Sequence, residues 1–335
     1  MAKMASRLSG EERLIARYFR PLAKHPGAFG LLDDAAAVVP PKGCDLVLTT
    51  DGLISGVHFF PDDPAQTVAK KALRVNLSDL AAKGAAPLGF LLALALPRNI
   101  NASWLKRFTR GLKEDAAAFV FPLLGGDTDR TPGPLSISVV AVGAVPHGQI
   151  IRRSGARIGH SVVVTGSVGD SALGLMLRRA PGLAKRWGLG SRHRKYLTDR
   201  YLLPQPRTAI AAVLRRHAAA SMDISDGLVG DLTKLCRASK VAAEIEIERV
   251  PLSDAARAAL DNEPCLMETL LTGGDDYEVL ATVPGTELAA FRRSALKRGI
   301  AVTQIGKVVA GAGEARFRNT RKTQIAFARP AYSHF

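Results

Sequence analysis

Apolar and polar positions follow two periods along this chain. From Leu8 to Tyr18, apolar and charged residues recur at helical spacing, and Ser9 with Glu12 three residues on predicts a capped helical start. Asp45 to Thr50 (DLVLTT) and Leu88 to Leu96 read as buried strands, and Ser136 to Val145 (SISVVAVGAV) as a strand rich in β-branched residues. Thr67 to Lys83 and Trp104 to Phe119 carry apolar residues at helical spacing and predict amphipathic helices, with Asp79 near the end of the first. Pro146-His147-Gly148 breaks the pattern, so the expected domains are 1–148 and 149–335.

The second half begins again in the same style. Ser161 to Thr165 (SVVVT) predicts a strand, Gly166 to Asp170 a glycine turn, and Ala172 to Arg179 a helix. Arg178 to Arg200 reads as a basic connector, either helix or loop. Helices are expected over Ala209 to Ala220 and Gly227 to Ala238, with Ser221 to Asp226 as the loop between them. Val241 to Ile247 and Glu278 to Val283 predict strands, Thr286 to Arg298 a helix, and Gly306 to Phe317 a hairpin. Helices and strands mix in both halves, which implies two α/β (α+β) domains, and no repeat of 20–50 residues is present.

Composition narrows the class. A chain of 335 residues with 47% hydrophobic and 23% charged residues suits two globular domains. No apolar run approaches a membrane span, and the first residues lack the apolar region of a secretory signal. Cys44, Cys236 and Cys265 are too few and too far apart for a disulfide framework or a zinc knuckle, so a cytoplasmic setting with buried thiols is expected. The net charge of +16 leaves three readings open: a nucleic-acid partner, an anionic small substrate, or an Arg-rich solvated surface. No basic zipper, Cys/His finger or aromatic-interleaved basic strand favours the first.

The acidic residues carry more information. There are 19 Asp against 11 Glu, and Asp is a poor helix former that favours caps, turns and hard-cation sites. Five segments stand out: Asp33-Asp34, Thr49-Thr50-Asp51-Gly52, Asn76-Leu77-Ser78-Asp79, Gly125-Gly126-Asp127-Thr128 and Asp223-Ile224-Ser225-Asp226-Gly227. All are expected in turns or near element ends. Each alone reads equally as an Asx-turn or a cap. Together, carboxylates beside hydroxyls and glycines suit Mg²⁺, which takes one or two carboxylates per ion and completes its shell with water and phosphate. Gly125-Gly126, Gly273-Gly274 and the turn at Gly166 permit close backbone approach to a ligand. His58 and Arg153 are further polar candidates, the latter because a guanidinium fork suits phosphate oxygens. No Gly-x-Ser-x-Gly elbow, HExxH or CxxC occurs, which argues against hydrolase, zinc-protease and redox classes.

Taken in order, the strings LRVNLSDLAAKGA from Leu73, GGDT from Gly125, RSGA from Arg153, DISDGL from Asp223 and GGDDYE from Gly273 resemble the thiamine-monophosphate kinase family. The resemblance runs from Ile15 to the terminal Tyr332-Ser333-His334-Phe335. That family belongs to an ATP-binding superfamily with aminoimidazole ribonucleotide synthetase, selenophosphate synthetase and a hydrogenase-maturation dehydratase. The resemblance implies two domains of that type, an N-terminal mixed sheet at a homodimer interface, and direct in-line transfer of the ATP γ-phosphoryl group to thiamine phosphate with no phospho-enzyme. It implies several Mg²⁺ ions held by Asp34, Thr49, Thr50, Asp51, Asp79, Asp127 and Asp223, with catalytic Asp226 holding one near the substrate phosphate. ATP would meet Gly126, Asp127, Arg153 and Ser225, with Phe119 where the family has a stacking tyrosine. Thiamine phosphate would meet His58 and Asp275. Asp275 stands where the family has Glu, and Phe327 is the nearest aromatic to the family's C-terminal Trp. The selenophosphate and hydrogenase relatives would carry a cysteine near the N-terminus or in a C-terminal tail, which this chain lacks.

Overall fold

The computed structural model describes residues 9–332, so Leu8, the residues before it and Ser333-His334-Phe335 lie outside the described residues. The chain divides into two compact units: 1–80 with 86–148, and 81–85 with 149–335.

Unit 1 opens with helix α1 (Gly10–Leu14), started by a complete capping box between Ser9 and Glu12. Strand β1 (Cys44–Ile54), helix α2 (Ala65–Ala82), strand β2 (Ala86–Pro97), helix α3 (Ala102–Ala118), and strands β3 (Leu123–Thr131) and β4 (Ser136–Pro146) follow. The four strands form one sheet in the order β1-β4-β2-β3, antiparallel except for the parallel β2–β3 pair. Strand geometry sends alternate side chains to opposite faces. Val47 and Leu53, Phe90, Leu92 and Leu94, and Ile137, Val139 and Ala141 are buried on one face. Leu46, Leu48, Leu91 and Val140 emerge exposed on the other, Leu48 at 66%.

Unit 2 contains strand β5 (Ser161–Thr165), helices α4 (Asp170–Arg179), α5 (Leu183–Arg186), α6 (Ser191–Leu202) and α7 (Ala211–His217), strand β6 (Ala220–Ile224), helix α8 (Leu228–Ser239) and strand β7 (Ala242–Glu246). Helices α9 (Asp254–Asn262) and α10 (Leu266–Thr272), strand β8 (Glu278–Val283), helix α11 (Leu288–Leu296) and strands β9 (Val302–Val309), β10 (Ala315–Arg318) and β11 (Gln324–Ile325) complete it. Its seven strands run β11-β10-β7-β9-β5-β8-β6, with only β7–β10 parallel. Every residue of β5, β6 and β8 is buried, because a separate core packs on each face of the sheet.

The elements differ from the sequence expectations at three places, and at a fourth the structure decides between two alternatives. Ser221–Asp226 is no simple loop: Ala220–Ile224 is strand β6, paired with β8 and covered on both faces, so its short mixed string shows no alternation. Val302–Val309 and Ala315–Arg318 do not form a hairpin, because β7 lies between them. The basic stretch 178–200 takes the helical alternative, running from the end of α4 through α5 into α6, and Arg200 is buried where its guanidinium meets Glu278 at 3.0 Å. Finally, Asp51 and Asp127 stand inside β1 and β3, away from turns, whereas Asp223 lies one residue from the end of β6.

Candidate active site

In unit 1, the alternation of β1 puts Thr49 and Asp51 on the face that carries α2, and sends Thr50 to the opposite face beside Leu48. The Thr49 hydroxyl donates to Asp79 Oδ2 at 2.6 Å, joining strand to helix. One helical turn earlier, fully buried Asn76 accepts the Asp51 N–H on Oδ1 at 3.1 Å and returns its amide to the Ala72 carbonyl at 3.0 Å. Asn76 therefore locks the register in which Thr49, Asp51 and Asp79 converge. The sequence marks Asn76 as a neighbour of Asp79, and the contact with Asp51 shows what it holds.

Gly125 and Gly126 lie within β3, and the reason is steric. Gly126 has φ +154° and runs so close to β2 that an added Cβ would sit 1.9 Å from the Leu92 carbonyl oxygen. Asp127, next along, is exposed, and its carboxylate accepts the Thr128 N–H at 2.8 Å. Asp33, Asp34, Asp127 and Thr128 are the polar lining of a cavity of about 640 Å³ whose other walls include Phe19, Leu46, Leu91 and Leu124. That size and apolar lining suit a small organic ligand. Phe119 lies outside this cavity: it ends α3, and its ring is covered by the Arg74 guanidinium at 5.7 Å. His58 closes the turn after β1, its Nδ1 accepting the Ile54 N–H at 2.9 Å.

Unit 2 gathers a second set. The loops 224–227 and 273–277 are stitched by backbone: the Asp275 N–H donates to the Ser225 carbonyl and the Tyr277 N–H to the Ile224 carbonyl, each at 2.8 Å. Gly274 makes this possible, since a Cβ there would lie 2.4 Å from the Ser225 oxygen. Asp275 and Tyr277 both hold positive φ, +71° and +52°, and the Tyr277 hydroxyl donates to Asp275 Oδ1 at 3.2 Å. Neighbouring Asp276 is buried, accepting the Gly169 N–H at 2.6 Å; burial pushes its pKa well above the usual carboxylate range.

The 224–227 loop has its own anchor. Fully buried Asp231 accepts the N–H groups of Ser225, Asp226 and Gly227 on Oδ2 at 3.0, 2.9 and 3.2 Å. Its Oδ1 takes the Lys234 ammonium at 2.8 Å, and the same ammonium pairs with Asp226 Oδ2. Burial raises the Asp231 pKa against the lowering effect of Lys234. Burial also works against the charge on Lys234, but hydrogen bonds to Asp226 and Asp231 outweigh it and raise its pKa. Asp223 is buried in β6, whereas Arg153 lies in an exposed segment. Phe327 packs edge-on against Phe317, ring centroids 5.3 Å apart, on the unit 2 core. The aromatic beside Asp226 is instead half-exposed Tyr332, whose N–H donates to the Asp226 carbonyl at 3.0 Å. Asp231, Lys234 and Tyr332 escaped the sequence reading; an Asp in the first turn of a helix is ordinary, and only contact shows what this one anchors.

Among the described residues, no three His, Cys, Asp or Glu side chains come close enough to hold a metal by themselves. The donors present are carboxylate and hydroxyl oxygens, the set a hard cation prefers. At Asp226 a cation, the Lys234 ammonium, already stands against the carboxylate.

Relatives match over nearly the whole chain. The family described as AIR synthase related protein, N-terminal domain, matches residues 32–145, and the corresponding C-terminal domain family matches 157–318. A thiamine-monophosphate kinase of Caulobacter vibrioides is 41% identical over 311 residues, covering 92% of this chain and 86% of that one. A crystal structure of thiamine-monophosphate kinase from Stenotrophomonas maltophilia is 36% identical with a TM-score of 0.80, over 92% of this chain and 96% of that one. AaThiL, solved in complex with AMPPCP and TMP, is 32% identical with a TM-score of 0.75, over 92% and 97% of the two chains.

Proposed function

The chain belongs to the thiamine-monophosphate kinase family, and from that premise we propose that it transfers the γ-phosphoryl group of ATP to thiamine phosphate, giving thiamine diphosphate. The observation that carries the reading is the stitching of the 224–227 and 273–277 loops, which holds the Asp226 carboxylate on one strand of backbone and Asp275 on the next. A cation-binding acid and a substrate-binding acid are thereby fixed on one scaffold.

Phosphoryl transfer asks mainly for alignment and neutralisation of charge. Each terminal phosphate carries about −1.5 to −2 near neutral pH. Mg²⁺ ions would supply the neutralising charge, held in unit 1 by Thr49, Asp51 and Asp79 on the α2 face of the sheet and by Asp127 and Asp34 on the opposite face, and in unit 2 by Asp223 and Asp226. Asn76 keeps the β1 donors in register with Asp79, and Asp231 keeps the Asp226 loop closed. Thr50 would join Asp34 and Asp127 on that opposite face. Gly126 and Asp127 would take the nucleotide beside the cavity of unit 1, with Arg153 and Ser225 as the phosphate contacts of unit 2. On the thiamine side we place Asp275 and His58, and Tyr332 as the aromatic in preference to Phe327. No nucleophile–base pair is needed for direct in-line transfer.

The exposed row Leu46, Leu48, Leu91 and Val140 supports a homodimer through the sheet of unit 1. No described helix is long and apolar enough to cross a membrane. Three free cysteines suit a cytoplasmic setting.

A coupled assay with ATP, thiamine phosphate and Mg²⁺, run against a magnesium-free control, tests the activity; no thiamine diphosphate from a folded protein would overturn it. Asp226→Asn should lower kcat by at least about 100-fold with the fold intact, the scale on which removing one charge-stabilising group acts. Near-normal turnover in that variant would remove Asp226 from the mechanism.

A further inference from the structure

Lys234 stands against Asp226, and the phosphoryl-transfer reading leaves it without a role. Its ammonium stands between two carboxylates, pairing with Asp226 Oδ2 and, at 2.8 Å, with Asp231 Oδ1. The two acids are not equivalent. Asp231 is fully buried, and its second oxygen is saturated by three backbone N–H groups. It cannot turn away without opening the loop. The side chain of Asp226 is 36% exposed, and that of Lys234 is 40% exposed. The Asp231 end of the bridge is thus fixed, and the Asp226 end is the one that can exchange.

A lysine ammonium is a compact point charge on a flexible stem. It neutralises one of the two negative charges, so the cluster is anionic by one unit when the bridge is closed and by two when Lys234 is absent. A divalent cation approaching Asp226 Oδ2 meets an oxygen that already accepts from an ammonium, and the like charge of that ammonium beside it. Both cations cannot hold that oxygen in the same geometry.

We propose that Lys234 is a resident counter-ion that a divalent cation must displace from Asp226, so that this side chain sets the metal concentration at which the site fills. On displacement the ammonium keeps Asp231 as its partner, so the loop anchor survives the exchange. Lys234 acts through Asp226 and is a positioning residue. The inference rests on the reading of Asp226 as a metal ligand, but it is tested without substrate.

The experiment is a titration of the nucleotide-free, full-length protein with Mn²⁺, following free Mn²⁺ by electron paramagnetic resonance. Lys234→Gln should bind Mn²⁺ about three-fold more tightly than wild type, the size a half-exposed ion pair supports. Lys234→Arg, which keeps the charge, should stay within the wild-type range. Lys234→Met keeps the apolar stem and should repeat the gain, which secures the result if Lys234→Gln folds poorly. Adding Asp226→Asn to Lys234→Gln should abolish the gain. Unchanged or weaker Mn²⁺ binding in both neutral variants would overturn the proposal, as would a gain that persists without Asp226. Absence of kinase activity in the wild type would sink the enzymatic reading and leave this titration standing on its own.

Discussion

Asp231 shows how much a single carboxylate can hold in place. Three consecutive backbone N–H groups converge on one of its oxygens in a fully buried position. A buried donor left without an acceptor costs about 1–3 kcal/mol. Asp231→Ala should therefore lose about 3 kcal/mol of stability in urea unfolding, with partial recovery in Asp231→Asn, whose amide oxygen still accepts. A loss below about 1 kcal/mol would mean that the loop does not depend on this anchor. At this scale the sequence displays the residues that a motif advertises. Asp79, Asp226 and Asp275 stand in strings of unusual composition, and the structure sets Asp79 against Thr49 and Asp275 on the loop stitched to Ser225. Asp231 and Lys234 are invisible there, because each is an ordinary residue of a helix whose meaning comes from what lies opposite. Tyr332 is hidden for another reason: its distance along the chain from Asp226 says nothing of the turn that returns it.

Elements were legible where helical spacing or a run of β-branched residues marked them, including the wholly buried β5 and β8. The period of 3.6 in α2 and α3 and the β-branched run of β4 place those elements to within a few residues. Strand β6 escaped because its string Ala-Ser-Met-Asp-Ile holds one β-branched residue, whereas the equally buried β5 and β8 are rich in valine and threonine. The β9–β10 hairpin failed because pairing between strands distant in sequence, here β7, leaves no local trace. The contact of α2 with α3 carries a pH signature. Glu114 on α3 takes Lys70 Nζ and Gln66 Nε2 of α2, each at 2.7 Å, and Arg110 Nε at 3.0 Å. The hydrogen bond from Lys70, reinforced by Gln66 and Arg110, lowers its pKa from 4.5 to about 2. A lowered carboxylate pKa contributes stability that is fully present above the unfolded value, 4.5, and is lost as the pH falls through about 2. Glu114→Gln should thus be less stable than wild type at pH 7, by no more than about 1 kcal/mol given its partial exposure. The two melting curves should converge near pH 2. A gap that persists there would assign the effect to packing instead of charge.

At the scale of the whole molecule, the outer face of the unit 1 sheet asks for a partner. Monomeric proteins seldom leave a row such as Leu46, Leu48, Leu91 and Val140 uncovered. Leu48→Glu should reduce the mass measured by light scattering after gel filtration to that of one chain, and a wild type already monomeric would refute the sheet-mediated dimer. The division into two units also proves less simple than the break at Pro146-His147-Gly148 suggests. Unit 2 includes residues 81–85, where the Lys83 ammonium donates to the Ser221 carbonyl at 2.7 Å and the Lys83 carbonyl accepts the Ile151 N–H at 3.3 Å. A ribosome delivers that five-residue segment well before the strands it will join. The second unit cannot finish folding as a late, self-contained module, and a gene fragment that starts at Gln149 omits a piece of its own interior. Recombination at the apparent boundary would separate 81–85 from β6 and leave the Ser221 carbonyl without the Lys83 ammonium.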